Sequence, residues 1–174
     1  AVKLLVVKID DGLKTLIKNL DKHIIESYYK EKINKIINEI CLINKLKCHK
    51  NILAYEDYIV YKENESQSWN ILVEMDYLTP LSLYYSQKPF SIKDAIKLGR
   101  DISRGLYEYH KSGKIHKNLK DSNIFLGKDG VFKIGDFILS EELFRSKDIN
   151  SMKDSKYYMA PEVITKNKYS ELSD

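Results

Sequence analysis

Between positions 123 and 136 the chain runs Asn-Ile-Phe-Leu-Gly-Lys-Asp-Gly-Val-Phe-Lys-Ile-Gly-Asp. Two short apolar runs flank Gly127-Lys128-Asp129-Gly130, a tight-turn signal, so the stretch folds back on itself as a hairpin. Asn123 and Asp136, thirteen positions apart, fall at its open end. That geometry brings an amide oxygen and a carboxylate together, and both are hard oxygen ligands of the kind Mg²⁺ takes. Immediately before them comes Lys114-Ile115-His116-Lys117-Asn118-Leu119-Lys120, a polar loop without strand or helix periodicity. Any fold for this chain has to present that loop beside the hairpin's open end.

The rest of the chain is suited to hold it. At 174 residues and 43% hydrophobic content the length corresponds to about one domain with a real core. A net charge of +4 with charges of both signs interspersed argues against a dedicated nucleic-acid binder, which concentrates Lys and Arg on one face. Cys41 and Cys48 cannot staple a domain of this size, which points to a reducing compartment and a cytoplasmic location. Cys41, Cys48 and His49 lack the second ligand pair of a zinc site. No apolar run approaches the roughly 18 residues of a membrane span.

Ala1 to Ile9 is apolar and β-branched, a buried strand. Asp10 to Lys22 is polar and aperiodic. A long helix is predicted from Ile24 to Leu46, with Ile33, Ile36, Ile37, Ile40 and Ile43 on one stripe, Glu39 at its edge and Glu31 on the opposite face. Strands follow at Tyr55–Tyr61 and Trp69–Met75, around a polar turn. Ser91 with Asp94 three residues on is a capping box opening a helix that ends at Ser112-Gly113. Ile92, Ala95, Ile96, Ile102, Leu106 and Tyr109 stripe that helix as core, and Gly99 within the stripe leaves room for a neighbour to pack close.

Taken together, these pieces resemble one family. His116, Leu119 and Asn123 occupy the fixed places of the protein-kinase catalytic loop H-R-D-L-x-x-x-N. Asp136-Phe137 resembles the start of D-F-G, and Ala160-Pro161-Glu162 matches A-P-E, closing a 27-residue activation segment. Ala1-Val2-Lys3 resembles the end of the V-A-I-K strand, with Val6-Val7-Lys8 as a rival, and His49-Lys50-Asn51-Ile52 resembles the H-x-N-I approach to the fourth strand. The order covers nearly the whole chain and resembles eukaryotic-type protein kinases of the serine/threonine branch, because Lys120 stands two residues after position 118.

The resemblance implies an α+β, bilobal kinase-like fold, truncated. Residues 1–75 form an N-lobe part lacking the Gly-rich strands, 76–78 a hinge, and 79–174 a C-lobe part ending at the start of the helix αF. It implies ATP and Mg²⁺ as cofactors. Lys3 would hold the α- and β-phosphates, oriented by Glu39, with Ala1 leaving room for the adenine ring. Met75, Asp76 and Leu78 would offer hinge backbone to the adenine edge, and Phe125 would lie beneath the ring. Asn123 and Asp136 would hold Mg²⁺, and Lys120 would steady the γ-phosphate. The implied partners are a protein substrate or a regulated protein, with neither nucleic acid nor membrane.

Three positions depart from the family pattern. Asn118 stands where the family carries its catalytic Asp. An amide oxygen can accept a hydrogen bond but cannot take up a proton, and general-base catalysis is worth about 10²–10⁴-fold. Lys117 replaces an Arg that in many kinases grips a phosphorylated activation loop, and a point charge makes no bidentate pair. Ile138 replaces the Gly of D-F-G, and a β-branched residue disfavours positive φ. Ser140, Ser146 and Ser151 are candidate phosphosites, and Ser155 stands at the place of the family's P+1 Thr. The sequence leaves open a pseudokinase acting as a regulatory or interaction module, a slow but genuine serine/threonine kinase, and an inactive fragment.

Overall fold

A computed structural model describes residues 1–7, 22–63, 68–87, 89–137 and 156–174. They divide into two compact units, Ala1–Asn44 with Tyr55–Asp76, and Lys45–Ala54 with Tyr77–Asp174.

The first unit is an antiparallel sheet in the order β1-β3-β2, formed by β1 (Val2–Val7), β2 (Tyr55–Glu63) and β3 (Ser68–Met75), together with a 24-residue helix, α1 (Lys22–Lys45). β3 is central, pairing Leu5 and Val60 on either side of Ile71, and Ile71 and Val73 lose all contact with solvent. β1 alternates as a half-buried strand must: Leu5 and Val7 point inward, Val2 and Leu4 outward. On α1 the predicted stripe is the buried one, with Ile33, Ile36, Ile40 and Ile43 joined by Tyr29. Burying each of these side chains stabilises by roughly 1.5–3 kcal/mol, enough to order a helix that its own hydrogen bonds would leave marginal. At its end Asn44 donates to the carbonyls of Tyr55 (2.7 Å) and Glu56 (3.1 Å), fixing the helix to the start of β2.

The second unit is built on a hairpin. β5 (Ile124–Leu126) and β6 (Phe132–Ile134) pair antiparallel around the predicted Gly127–Gly130 turn, with Gly130 at φ 72, and β4 (Thr79–Pro80) adds along β5. Ile52 pairs in parallel with Ile134; Leu53 donates to the Ile134 carbonyl (2.7 Å), and Ile134 donates to that of Asn51 (2.9 Å). This explains a difference from the sequence reading, which put residues 45–54 with the first part of the chain. Their backbone is bonded to β6, so they belong to the second unit.

After a short helix, α2 (Leu81–Gln87), comes α3 (Ile92–His110), opened by the predicted capping box. Ser91 Oγ accepts from Asp94 N–H (3.2 Å) and the Asp94 carboxylate accepts from Ser91 N–H (3.1 Å). The expected core stripe holds only in its second half. Ile102 and Tyr109 are buried, whereas Ile92 and Ile96 are 82% and 69% exposed, because β6 meets α3 around Asp101, Ile102 and Gly105 rather than along its first turns. The glycine that lets a neighbour close in is likewise Gly105 and not Gly99. A Cβ on Gly105 would stand 2.7 Å from the Asn51 carbonyl oxygen, whereas one on Gly99 would meet nothing within 4 Å.

Asp101 shares that buried face. It accepts from the Phe132 N–H (3.2 Å), Lys97 (2.8 Å) and Arg100 (3.1 Å), so a carboxylate on α3 pins the hairpin. A last short helix, α4 (Pro161–Lys166), begins with proline at its first position and stops at Asn167 in the left-handed conformation. Among the described residues no helix is long and apolar enough to cross a membrane.

Candidate active site

Gly113, at φ 74, turns the chain out of α3 and into the polar loop. The first fixed point of that loop is His116, which is fully buried. Its Nδ1 accepts from the Asn118 N–H (3.3 Å), so the proton sits on Nε2, which donates to the Gly135 carbonyl (3.0 Å). Burial pushes the His116 pKa below its ordinary value, against the opposing pull of the Gly135 bond and of Asp174 and Asp136. A neutral imidazole is what those two hydrogen bonds require. The rings of Tyr109 and Phe137 pack with it, Phe137 lying 4.7 Å from Tyr109 and 5.2 Å from His116 between centroids.

The second fixed point is Asp174. Its buried carboxylate accepts the backbone N–H groups of His116 (2.6 Å) and Lys117 (2.8 Å) and meets His110 Nε2 at 2.9 Å. Lys117 has φ 62, a left-handed conformation that costs a non-glycine residue about 1–3 kcal/mol unless its surroundings impose it. The bond from its N–H to Asp174 supplies that constraint. The sequence reading missed Asp174, which lies 57 residues from Lys117 and binds backbone atoms that no side chain identifies.

From this frame the chain reaches the predicted site residues. Asn123, 4% exposed, donates from Nδ2 to the Asn118 carbonyl (2.7 Å), and its own carbonyl accepts from Gly135 N–H (2.9 Å). The hairpin register therefore sets residue 123 opposite residue 135, beside Asp136. With Nδ2 engaged, Asn123 turns its Oδ1 to the other side, where Ser122 Oγ approaches at 3.4 Å. Asp136 has φ 53, a second left-handed non-glycine residue, adjoining the buried Phe137. An amide oxygen and a carboxylate held in this way suit a small hard cation. Asn118 and Lys120, both half-buried, line a recess shared with Tyr158, Met159, Ala160 and Val163. The pKa of Tyr158 is raised, by burial first and then by the neighbouring Asp121 carboxylate. Residues 158–160 therefore close one side of the recess in which Asn118 and Lys120 lie, a neighbourhood absent from the sequence reading.

Phe125 lies on β5 between Pro80 and Lys133, half-buried, with its ring edge so near Gly135 that a Cβ there would stand 3.0 Å away. Leu78 is half-buried at the start of the second unit's longer segment. The remaining predicted residues are in the first unit. Lys3 is half-buried opposite Val73, on the same side of β1 as Leu5 and Val7. Glu39 is half-buried beside Ile36, Ile40 and Ile43, whereas Glu31 is exposed and pairs with Lys35 at 2.9 Å. Ala1 accepts a backbone bond from Met75 N–H (2.9 Å), and Asp76 is exposed. Lys8, Ile138 and the serines at 140, 146, 151 and 155 lie outside the described residues. Cys41 and Cys48 are exposed, and among the described residues no three His, Cys, Asp or Glu side chains cluster to hold a metal.

The family described as protein kinase domain matches residues 2–174. The chain is 34% identical over 146 residues to the serine/threonine-protein kinase pakA of Dictyostelium discoideum, covering 80% of this chain and 12% of that protein. It is 34% identical over 143 residues to the serine/threonine-protein kinase pak-1 of Caenorhabditis elegans, covering 80% and 24%. With the mitogen-activated protein kinase kinase kinase 9 of Arabidopsis thaliana it shares 30% over 142 residues, covering 80% and 17%. The chain thus spans less than a quarter of the length of these relatives. With the motifs held in one hydrogen-bonded frame and the match running through almost every residue, this chain belongs to the protein kinase domain family, among serine/threonine-type relatives.

Proposed function

We propose that this domain binds Mg-ATP but transfers phosphate poorly, and that it works as a regulatory or interaction module. The observation that carries the reading is the run of hydrogen bonds from Asn118 through Asn123 to Gly135, next to Asp136. It keeps Asn123 beside Asp136, the pair this reading assigns to a metal, while the residue at the mouth of the loop is an amide. In this reading Asn123 Oδ1 and the Asp136 carboxylate hold Mg²⁺, which neutralises phosphate charge when bound. Lys120 faces the γ-phosphate. On the first unit Lys3, backed by Glu39, contacts nucleotide phosphate. Ala1, Met75, Asp76, Leu78 and Phe125 are assigned to the adenine. Asn118 orients an acceptor hydroxyl through its side-chain oxygen but leaves the proton without a base.

The test has two arms. Mg-ATP at millimolar concentration raises the melting temperature of the wild-type chain, and Asp136→Ala abolishes the shift; an unchanged wild-type melt would remove the nucleotide assignment. Radiolabel transfer to a generic protein is then compared with Asn118→Asp. The variant is expected to be faster by about 10²–10⁴-fold. Equal rates would mean a working serine/threonine kinase that tolerates an amide at this position.

A further inference from the structure

The close approach at Gly105 builds a second feature, on the exposed side of α3. Where the helix meets the turn at residues 49–51, the two walls enclose an open groove lined by His49, Lys50, Arg100, Ser103, Arg104 and Tyr107, with Glu108 at one end. Its floor is rigid. Asn51, fully buried, donates to the Phe132 carbonyl (2.9 Å) and accepts from Ile134 N–H through its own carbonyl (2.9 Å). Ser103, Arg104 and Tyr107 are exposed, turned away from the buried Ile102, Gly105 and Tyr109.

The charges in this groove are unevenly balanced. Arg100 is bonded to Asp101, and Glu108 pairs with Lys111 (3.3 Å). Among the described residues no carboxylate pairs with Lys50 or Arg104, which stand on opposite walls. His49 registers the resulting field. Burial chiefly lowers its pKa; Glu108 is the strongest single charge acting on it and raises it, while Lys50, Lys133 and Arg104 each lower it. Arg100 and Arg104 are one helical turn apart, about 6 Å, and the groove continues another turn to Glu108, so an extended segment of roughly four residues spans it.

We propose that this groove docks a carboxylate-rich peptide segment of a protein partner, acidic side chains lying against Lys50 and Arg104, with Ser103 and Tyr107 hydroxyls and His49 as further donors. The site is separate from the catalytic loop and does not depend on nucleotide binding. Nucleic acid fits less well, because a duplex-binding surface typically neutralises about six or more phosphates, whereas this groove offers two cations with no carboxylate partner among the described residues and includes Glu108.

A fluorescein-labelled, Glu-rich decapeptide tests it by anisotropy on the full chain. The expected result is saturable binding that weakens as NaCl rises from 50 to 300 mM and falls by about tenfold in Lys50→Glu/Arg104→Glu. The charge-neutral Lys50→Gln/Arg104→Gln should fall between the two, and both variants should keep the wild-type circular dichroism spectrum and Mg-ATP melting shift. Peptide binding should also raise the His49 pKa followed by NMR, since nearby carboxylates favour the imidazolium. Absence of binding, equal binding by wild type and the charge-reversed variant, or tighter binding of a duplex DNA than of the peptide would each overturn the proposal.

Discussion

Asp101 and Asp174 are both buried in the second unit, and they accept one and two backbone N–H groups respectively from distant segments, but their remaining charge is met differently. Asp101 has permanent cations, Lys97 and Arg100, beside its bond from Phe132 N–H. Asp174 has two backbone donors, from His116 and Lys117, and a histidine, His110. The hairpin is therefore pinned by a full ion pair, and the loop that carries Asn118 by dipoles and an imidazole.

Removing Asp174 is the most severe way to break this comparison. Asp174→Ala leaves two N–H donors without an acceptor, at about 1–3 kcal/mol each, and frees Lys117 from the bond that holds it at φ 62. Denaturant unfolding should show a loss of about 3–5 kcal/mol, and amide exchange at Lys117 should accelerate while that at Phe132 changes less. Asp101→Ala should lose less, about 1–3 kcal/mol, because only one backbone donor is orphaned and Lys97 and Arg100 can turn to water. Its exchange signature should be reversed, with Phe132 affected first. If both variants loosened both segments alike, the two acids would be parts of one anchor rather than two.

Acid sharpens the contrast. The folded-state pKa of His116 is depressed, so its contribution is present above the ordinary value of 6.5 and is lost as pH falls through the lower folded value. Burial opposes ionisation of Asp101, but its bonds to Lys97, Phe132 N–H and Arg100 win, leaving its pKa below 3.8; its contribution is lost only as pH falls through that range. Hydrogen exchange at stepped pH, corrected for intrinsic rates, should therefore show protection at Lys117 declining below about 6.5 and protection at Phe132 persisting to the carboxylate range. Simultaneous loss would refute the two-step order.

What could be read in advance follows the same division. The α1 stripe, the Ser91–Asp94 capping box and the Gly127–Gly130 turn are local, and each can be read from side chains within a few residues. The nearness of Asn123 to residue 135 could be read as well, because the turn signal between the two strands sets the register. The two anchoring acids could not, since their partners are backbone N–H groups 31, 57 and 58 residues away, and an N–H has no letter in the sequence. Asp101 did leave a trace. It shares the face of Gly105 and Tyr109 at helical spacing, and an acid on a buried face must find partners. The exposed Ile92 and Ile96 misled for the opposite reason: periodicity shows that a face is apolar and says nothing about how far along it a neighbour extends.

The smallest effect tests whether both anchors depend on the helix from which they hang. Asp101 lies within α3 and His110 at its last turn, so a more stable α3 should strengthen hairpin and loop together. Gly99 offers a clean perturbation, since a methyl there meets nothing within 4 Å and the residue has no positive φ to preserve. Gly99→Ala should stabilise the chain by about 0.5–1 kcal/mol, with protection at Lys117 and Phe132 rising by the same factor. Gly105→Ala is the matched control on the same helix. Its Cβ would press on the Asn51 carbonyl, and overpacking of that kind costs about 1–3 kcal/mol. Stabilisation at 99 confined to one of the two amides would mean that the anchors hold their segments independently of α3, and the helix would then be a spacer rather than their common support.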